Sequence, residues 1–427
     1  MSDSRRHFLK TGLALSMASG SAFLLGSGAV IGAEPAQYTD LKDLKSMSNR
    51  AQKIQPGERS ARRTKLAQTM KFEGHAAVMI EPGSSLEYFT GVQWWISERL
   101  TAAIITAEGD TMFITPSFEE SRLRELLDMP ATIITWEEDE NPFALIAFWL
   151  KKNNLHKQTL ALDEAVRHFV AHRIQQASPK LAITSARNEI NACRMIKSST
   201  EIALMQLASD ITITAYRTVF PLIDRGMTRA DIIQLMYQTQ VKLGADKPGG
   251  GAQIGKGSAL PHGSKETEYV EDGAMVLMDF GCTVNGYCSD ISRTFVYGEA
   301  DKSQRQLWKH VHEGQAIAFN AAQPGTPAGT VDKKVRRFYE GLGYGPGYRL
   351  PGLSHRTGHG IGMDIHEPIN FVSNEQTALQ KGMCLSNEPG LYIPGRYGVR
   401  LEDCLYITDN GPRWFSTPPA SIDEPIT

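Results

Sequence analysis

The chain has 427 residues, enough for two or three domains at roughly 150 residues each. Hydrophobic residues make up 41% and charged residues 22%, the balance of an ordinary soluble globular protein. A formal net charge of −2 argues against a nucleic-acid partner, which ordinarily needs a basic face, and leaves small neutral or acidic ligands open.

In chain order, the first feature is "SRRHFLK" at residues 4–10, with Arg5 and Arg6 ahead of an apolar run over about 13–31. The run is rich in Gly and Ser, which makes it a poor membrane anchor, and it ends in small residues that suit a signal peptidase. The stretch resembles a twin-arginine (Tat) export signal. That resemblance implies a signal peptide over residues 1–33, export to the periplasm in a folded state and no stable membrane anchor. Its removal takes away three cations and one anion, moving the net charge from −2 to about −4.

Residues 34–65 are polar and basic, and read as a surface segment. From about 71 to 185, short apolar runs alternate with helical patterns, which predicts an α/β domain. "HAAVMIEP", "AAIITAEGDTMFITP" and "ATIITWEE" read as strands with a turn at Glu108-Gly109-Asp110. "SFEESRLRELLDM" and "PFALIAFWLKKNNL" read as helices. The N-terminal domain is placed at 34–187 and a second, α+β domain at 188–427.

The second domain opens on Ser198 and Glu201 at capping-box spacing, followed by another helix that Gly244 closes. Then come a Gly-rich loop over 248–257, a strand pair around 274–297, helices at about 302–321 and 330–341, and a final stretch of strands and loops. Five scattered cysteines are too few for a disulfide framework and read as small buried apolar residues.

The chemistry-bearing residues gather in the strands and loops. Asn285-Gly286 at the centre of the strand pair is a hairpin turn signal, and the register it sets puts Asp279 opposite Ser292. Asp290 then lies diagonal to Asp279 on the same face, close enough for both carboxylates to reach one centre. A lone carboxylate inside an apolar strand costs several kcal/mol unless paired or metal-bound. The same register puts Cys282 and Cys288 on opposite faces. "NEPG" supplies Glu388 at a strand end, and "VRLED" supplies Glu402 inside the next strand, with Arg400 on its face. Arg400 is then a salt-bridge partner, a substrate-holding group or an orienter of the carboxylate.

"SHRTGHGIGMDIHEP" (354–368) carries His355, His359 and His366. Its three interior glycines each cost about 1 kcal/mol in a helix, so an extended segment is expected, with a bulge or turn before His366.

"MDFG", "CSDISRTF", "HRTGHGIGMDIHEP", "NEPG" and "VRLED" together resemble the M24 metallopeptidases, which share the pita-bread fold. "EYFTGVQWW" (87–95) resembles a segment of the N-terminal domain found in the creatinase, prolidase and aminopeptidase P branch. The resemblance implies a C-terminal pita-bread domain behind a smaller creatinase-type α/β domain. It implies Asp279, Asp290, His359, Glu388 and Glu402 as ligands of two divalent ions, manganese first and cobalt, iron or zinc also suited. It further implies a metal-bound hydroxide nucleophile, Glu388 as proton shuttle, and His262, His355 and His366 as catalytic or substrate-contacting groups, with Arg400 on the substrate side. The expected activity is hydrolysis of the Xaa-Pro bond of a small peptide, by an aminopeptidase P or prolidase-like homo-oligomer, a dimer. A metal-dependent lyase or non-peptide hydrolase, or a catalytically silent binding protein, are the alternatives. His310 and His312 match nothing in the family and read as surface residues of a helix.

Overall fold

A computed structural model describes residues 41–426; the export segment expected over 1–33 lies outside the described residues. The N-terminal part is built on six strands: β1 (Ala77–Ile80), β2 (Ala102–Thr106), β3 (Thr111–Pro116), β4 (Thr132–Trp136), β5 (Thr159–Leu162) and β6 (Ala182–Ser185). They form one sheet in the order β4-β3-β2-β1-β5-β6, antiparallel at β1/β2 and β2/β3 and parallel elsewhere. Helices α1 (Pro56–Glu73), α2 (Ser84–Thr90), α3 (Glu120–Leu126), α4 (Pro142–Lys152), α5 (His168–Ala177) and α6 (Arg187–Arg194) cover it. The central strands are apolar on both faces because both are covered. Val78, Ile80 and Ile105 pack with Leu66 and Met70 of α1, while Met79, Ile104 and Ile114 pack with Ile146 and Ile174 on the other side.

One expectation fails here. The polar stretch read as a surface segment to residue 65 instead enters α1 at Pro56, with Pro at a helix start where its missing N–H costs nothing. Arg62 is buried because its charge is met: it donates to Tyr88 O and Tyr287 Oη, both at 3.0 Å, and lies 3.5 Å from Glu201.

The C-terminal part carries α7 (Ser199–Val219), α8 (Arg229–Leu243), α9 (Lys302–Ala321) and α10 (Ala328–Gly341). The Ser198/Glu201 capping box opens α7, and Gly244 closes α8 in the left-handed region. One sheet contains β7 (Lys247–Ile254), β8 (Met275–Val284), β9 (Tyr287–Cys288) and β10 (Ile291–Val296), in the order β10-β8-β7 with β9 also on β8. The second contains β11 (Gly358–Gly360), β12 (Glu367–Phe371), β13 (Cys384–Asn387), β16 (Asp403–Thr408) and β17 (Gly411–Trp414), in the order β12-β11-β13-β16-β17; β14 (Gly390–Ile393) and β15 (Tyr397–Arg400) pair separately. A reciprocal pair of backbone bonds between Ser292 and Glu402, 3.2 and 3.1 Å, stitches the two larger sheets together. The chemistry gathers at that seam. The creatinase-type domain followed by a pita-bread domain is the architecture expected.

The Gly-rich stretch expected as a loop is the strand β7. Glycines weaken the local strand signal, yet here they are what lets the strand pair: a Cβ on Gly250, at φ +112°, would stand 2.1 Å from Asp279 O. His310 and His312 are half-buried rather than on the surface. His310 Nδ1 pairs with Tyr344 Oη at 3.0 Å, and His312 stacks on Trp308, so both histidines belong to the packing of α9. All five cysteines are buried and free. No helix among the described residues is long and apolar enough to cross a membrane.

Candidate metal centre

The β8–β10 register is the one the hairpin turn sets: Val284 faces Tyr287 and Asp279 faces Ser292. Asp279 projects from the middle of β8, while Asp290 sits in the break between β9 and β10. From the second sheet, His359 stands in β11 at a register irregularity against β12, as the expected bulge requires. Glu388 follows β13 directly, and Glu402 precedes β16 directly instead of lying inside a strand. The glycines beside His359 are needed for close approach. A Cβ on Gly358 would meet Ser386 O at 2.1 Å, and one on Gly360 would meet Pro368 O at 2.5 Å.

Ligand atoms of Asp290, His359 and Glu402 lie within 4.8 Å of one another. His359 Nε2 is 3.2 Å from Glu388 Oε1 and 3.8 Å from Asp290 Oδ2. Its Nδ1 faces Gly360 O at 3.0 Å, so Nδ1 carries the proton and Nε2 offers its lone pair to the carboxylates. Burial lowers the pKa of His359 to about 4, which keeps the ring a neutral donor at ordinary pH. Asp279 joins through Ser292, whose Oγ is 3.0 Å from Asp279 Oδ1 and 2.7 Å from Glu402 Oε2.

Arg400 is buried, and its guanidinium is taken up by protein groups. Nη2 donates to Asp279 Oδ2 at 2.5 Å, Nε to Ser292 Oγ at 2.9 Å, and Nη1 to Pro261 O at 3.2 Å. This arrangement fits a group that orients a carboxylate.

The donor set fits divalent cations. Burial, then the neighbouring carboxylates, raises the pKa of both Asp290 and Glu402 well above the ordinary range. Against this crowd of four carboxylates Arg400 brings a single positive charge. Glu402 Oε1 is buried and has no hydrogen-bond partner among the described residues, although a buried carboxylate oxygen normally has one. A cation would satisfy that oxygen and remove the mutual repulsion.

The remaining expected residues surround this centre. The His366 ring lies edge-on to His359 with centroids 4.3 Å apart; the residue is exposed, and partial desolvation of its ring against these neighbours lowers its pKa. His355 Nε2 meets Tyr392 Oη at 2.8 Å, and burial lowers the His355 pKa to about 4. His262 is exposed, near enough to His366 for its charge to act on that ring.

Sequence reasoning missed Ser292, Tyr392 and Arg356. Ser292 was within reach, since it faces Asp279 in the hairpin register and shares a face with Asp290 at period two. Tyr392 links His355 to Arg400 across segments that no local pattern connects. Arg356 bonds Asn370 Oδ1 at 2.5 Å and lies close enough to His359 and His366 to oppose their protonation.

Similarity to known proteins agrees with this architecture. Residues 203–409 match Metallopeptidase family M24, and residues 62–196 match the Creatinase/Prolidase N-terminal domain. The Xaa-Pro dipeptidase of Lactobacillus helveticus is 30% identical over 361 residues, spanning 82% of this chain and 95% of that protein. Among solved structures, dipeptidase PepE from Mycobacterium ulcerans superposes with a TM-score of 0.81 at 26% identity, covering 87% of this chain and 98% of that one. A prolidase from Thermococcus sibiricus gives 0.78 at 26% identity, covering 86% and 98%. The chain belongs to metallopeptidase family M24. It is a hydrolase of that family, in the branch that carries the creatinase/prolidase N-terminal domain, and the family implies divalent metal ions.

Proposed function

We propose that this chain is an exopeptidase that hydrolyses the Xaa-Pro bond of short peptides at a centre of two divalent cations. Its similarity to Xaa-Pro dipeptidases supports that substrate class. The observation that carries the reading is the donor set itself: Asp279, Asp290, His359, Glu388 and Glu402 converge at the seam between two sheets, with Glu402 Oε1 unpartnered among the described residues. These five residues would hold the ions. Bound dications supply the Lewis acidity that polarises a scissile carbonyl and brings the pKa of water toward neutrality.

The chain's own residues have distinct tasks. Glu388, 3.2 Å from His359 Nε2, would accept a proton from the attacking water and pass it to the leaving amine. His366 and His262 would donate to the oxygen on which negative charge develops, and His355 would contact the substrate. Arg400, already committed to Asp279 and Ser292, holds the first carboxylate in place. Manganese, cobalt, iron and zinc all suit one imidazole and four carboxylates, with manganese the first to test.

Residues 1–33 would deliver the protein to the periplasm, and a Lys-Lys variant at positions 5 and 6 that is still exported in active form would refute that. The deciding assay for the activity is turnover of Ala-Pro, Ala-Pro-Ala and Ala-Ala with manganese present and after chelation. Cleavage of the proline peptides, abolished by chelator and by Asp290→Ala, is the expected result. Absence of turnover with metal bound would point to a different small substrate or to a binding protein.

A further inference from the structure

The turn between β11 and β12, residues 361–366, delivers His366 to the centre, and the following residue is Glu367. This carboxylate is buried and engaged on both oxygens. Oε2 accepts from Lys197 Nζ at 2.8 Å, and Oε1 accepts from Arg194 Nη2 at 2.6 Å. Oε1 also accepts from the backbone N–H of Met363 at 3.0 Å and of Asp364 at 3.3 Å, so it ties the turn to its own far end. Arg194 reaches further, to Asp364 Oδ2 at 2.7 Å and Ser85 Oγ at 3.0 Å, while Ser84 Oγ donates to Asp364 Oδ2 at 2.6 Å. Met363 packs against the apolar cluster beneath the N-terminal sheet. Burial works to raise the Glu367 pKa, yet Lys197 and Arg194 more than offset it and hold the carboxyl at about 2.

This cation pair comes from outside the catalytic sheets. Arg194 ends α6, and Lys197 lies in the link from α6 to α7, its side chain only 2% exposed. An ammonium is strongly hydrated, and burying one is a poor way to gain stability; apolar replacement of a buried ion pair is often neutral or better. What a buried, fully bonded pair offers is one geometry. Here that geometry belongs to the peptide that carries His366.

We propose that Lys197 and Arg194 are positioning residues for the hydrolytic step, holding the 361–366 turn through Glu367 so that His366 stays in line with the metal centre. The N-terminal domain, through α2 and α6, is thereby a working part of the active site. This inference rests on the role given to His366 above.

The test is a double-mutant cycle on the manganese-loaded full chain. A misplacement of about 1 Å can cost up to about 100-fold in rate, so Lys197→Met should lower kcat by roughly 10- to 100-fold with KM nearly unchanged and manganese content retained. In a His366→Ala background the same change should move kcat by less than about 2-fold, because the group it positions is gone. Lys197→Arg, which keeps the charge, should recover part of the loss. Arg194→Gln, at a more open position, is the second variant if Lys197→Met does not fold. Equal losses with and without His366, or loss of manganese in step with activity, overturn the proposal. Histidine-ring NMR on the diamagnetic zinc-loaded chain separates this failure from failure of the peptidase reading: Lys197→Met should shift the His366 ring signals and leave those of His355 in place, whatever the substrate. Unmoved His366 signals would overturn the proposal.

Discussion

Stripping the divalent ions and titrating them back should release protons at pH 6. In the metal-free centre, burial and then neighbouring carboxylates hold the pKa of Asp290 and Glu402 well above the ordinary carboxyl value of about 4. His359, lowered to about 4, is already neutral at pH 6 and contributes no proton. Protons held by this raised pair must then leave when cations enter. Apparent affinity should climb by about 10-fold per pH unit for one proton and about 100-fold for two, or about 1.4 to 2.7 kcal/mol per unit. The stability of the metal-free protein should move the opposite way. A carboxyl with a raised folded-state pKa stabilises fully below its unfolded value near 4, and that stabilisation is lost as pH rises through the folded value. The gain in melting temperature on adding metal should therefore widen from pH 5 to pH 7.5. Calorimetric titration of manganese in two buffers of different ionisation heat counts the protons directly. Metal binding at pH 6 with no proton released would refute the reasoning, because the four carboxylates would then tolerate full ionisation without a cation.

Five further substitutions probe separate parts of the structure. His359→Ala should lose bound metal and activity together, whereas His366→Ala should keep its metal by elemental analysis and lose about 100- to 1,000-fold in kcat. Arg293→Met should cost about 3–5 kcal/mol in urea denaturation, because it leaves Asp403, wholly buried and 2.7 Å from the guanidinium, without its counter-charge. Gly250→Ala should lower metal content by displacing the β8 backbone at Asp279, while at the neighbouring Gly251, where an added Cβ meets open space, alanine should leave metal content unchanged; equal behaviour of the two would remove β7 from the argument.

Much of the catalytic half was legible where one local rule decides the outcome. The Asn285-Gly286 turn sets the hairpin register, so the Asp279–Ser292 pairing could be read off before any coordinates. The Ser198/Glu201 box and the Gly244 cap likewise marked helix ends by local hydrogen bonding alone. Local rules failed where partners are distant in sequence. Arg62 was read as a solvated charge because its partner Glu201 lies in another domain, and β7 was read as a loop because its glycines answer to the backbone of β8. The Lys197–Glu367 contact, across 170 positions, had no local signature at all.

The same distinction explains how the centre is built. A regular strand spaces same-face residues evenly and sends alternate side chains to opposite faces, so it cannot by itself bring several donors to one point. Asp279, whose pairing with Ser292 the register fixes, is also the candidate ligand inside an uninterrupted strand. The others stand where a ladder is broken: Asp290 between β9 and β10, His359 at the β11–β12 irregularity, Glu388 just past β13 and Glu402 just before β16. Each interruption re-aims a side chain toward the seam that the Ser292–Glu402 bonds hold closed. Gly358 and Gly360 then admit the neighbouring backbone, and Ser292 spans the gap from Asp279 to Glu402. Convergence of the five donors is therefore a property of the junction between two sheets. A change that restores a regular ladder at any one of these breaks should cost metal before it costs stability.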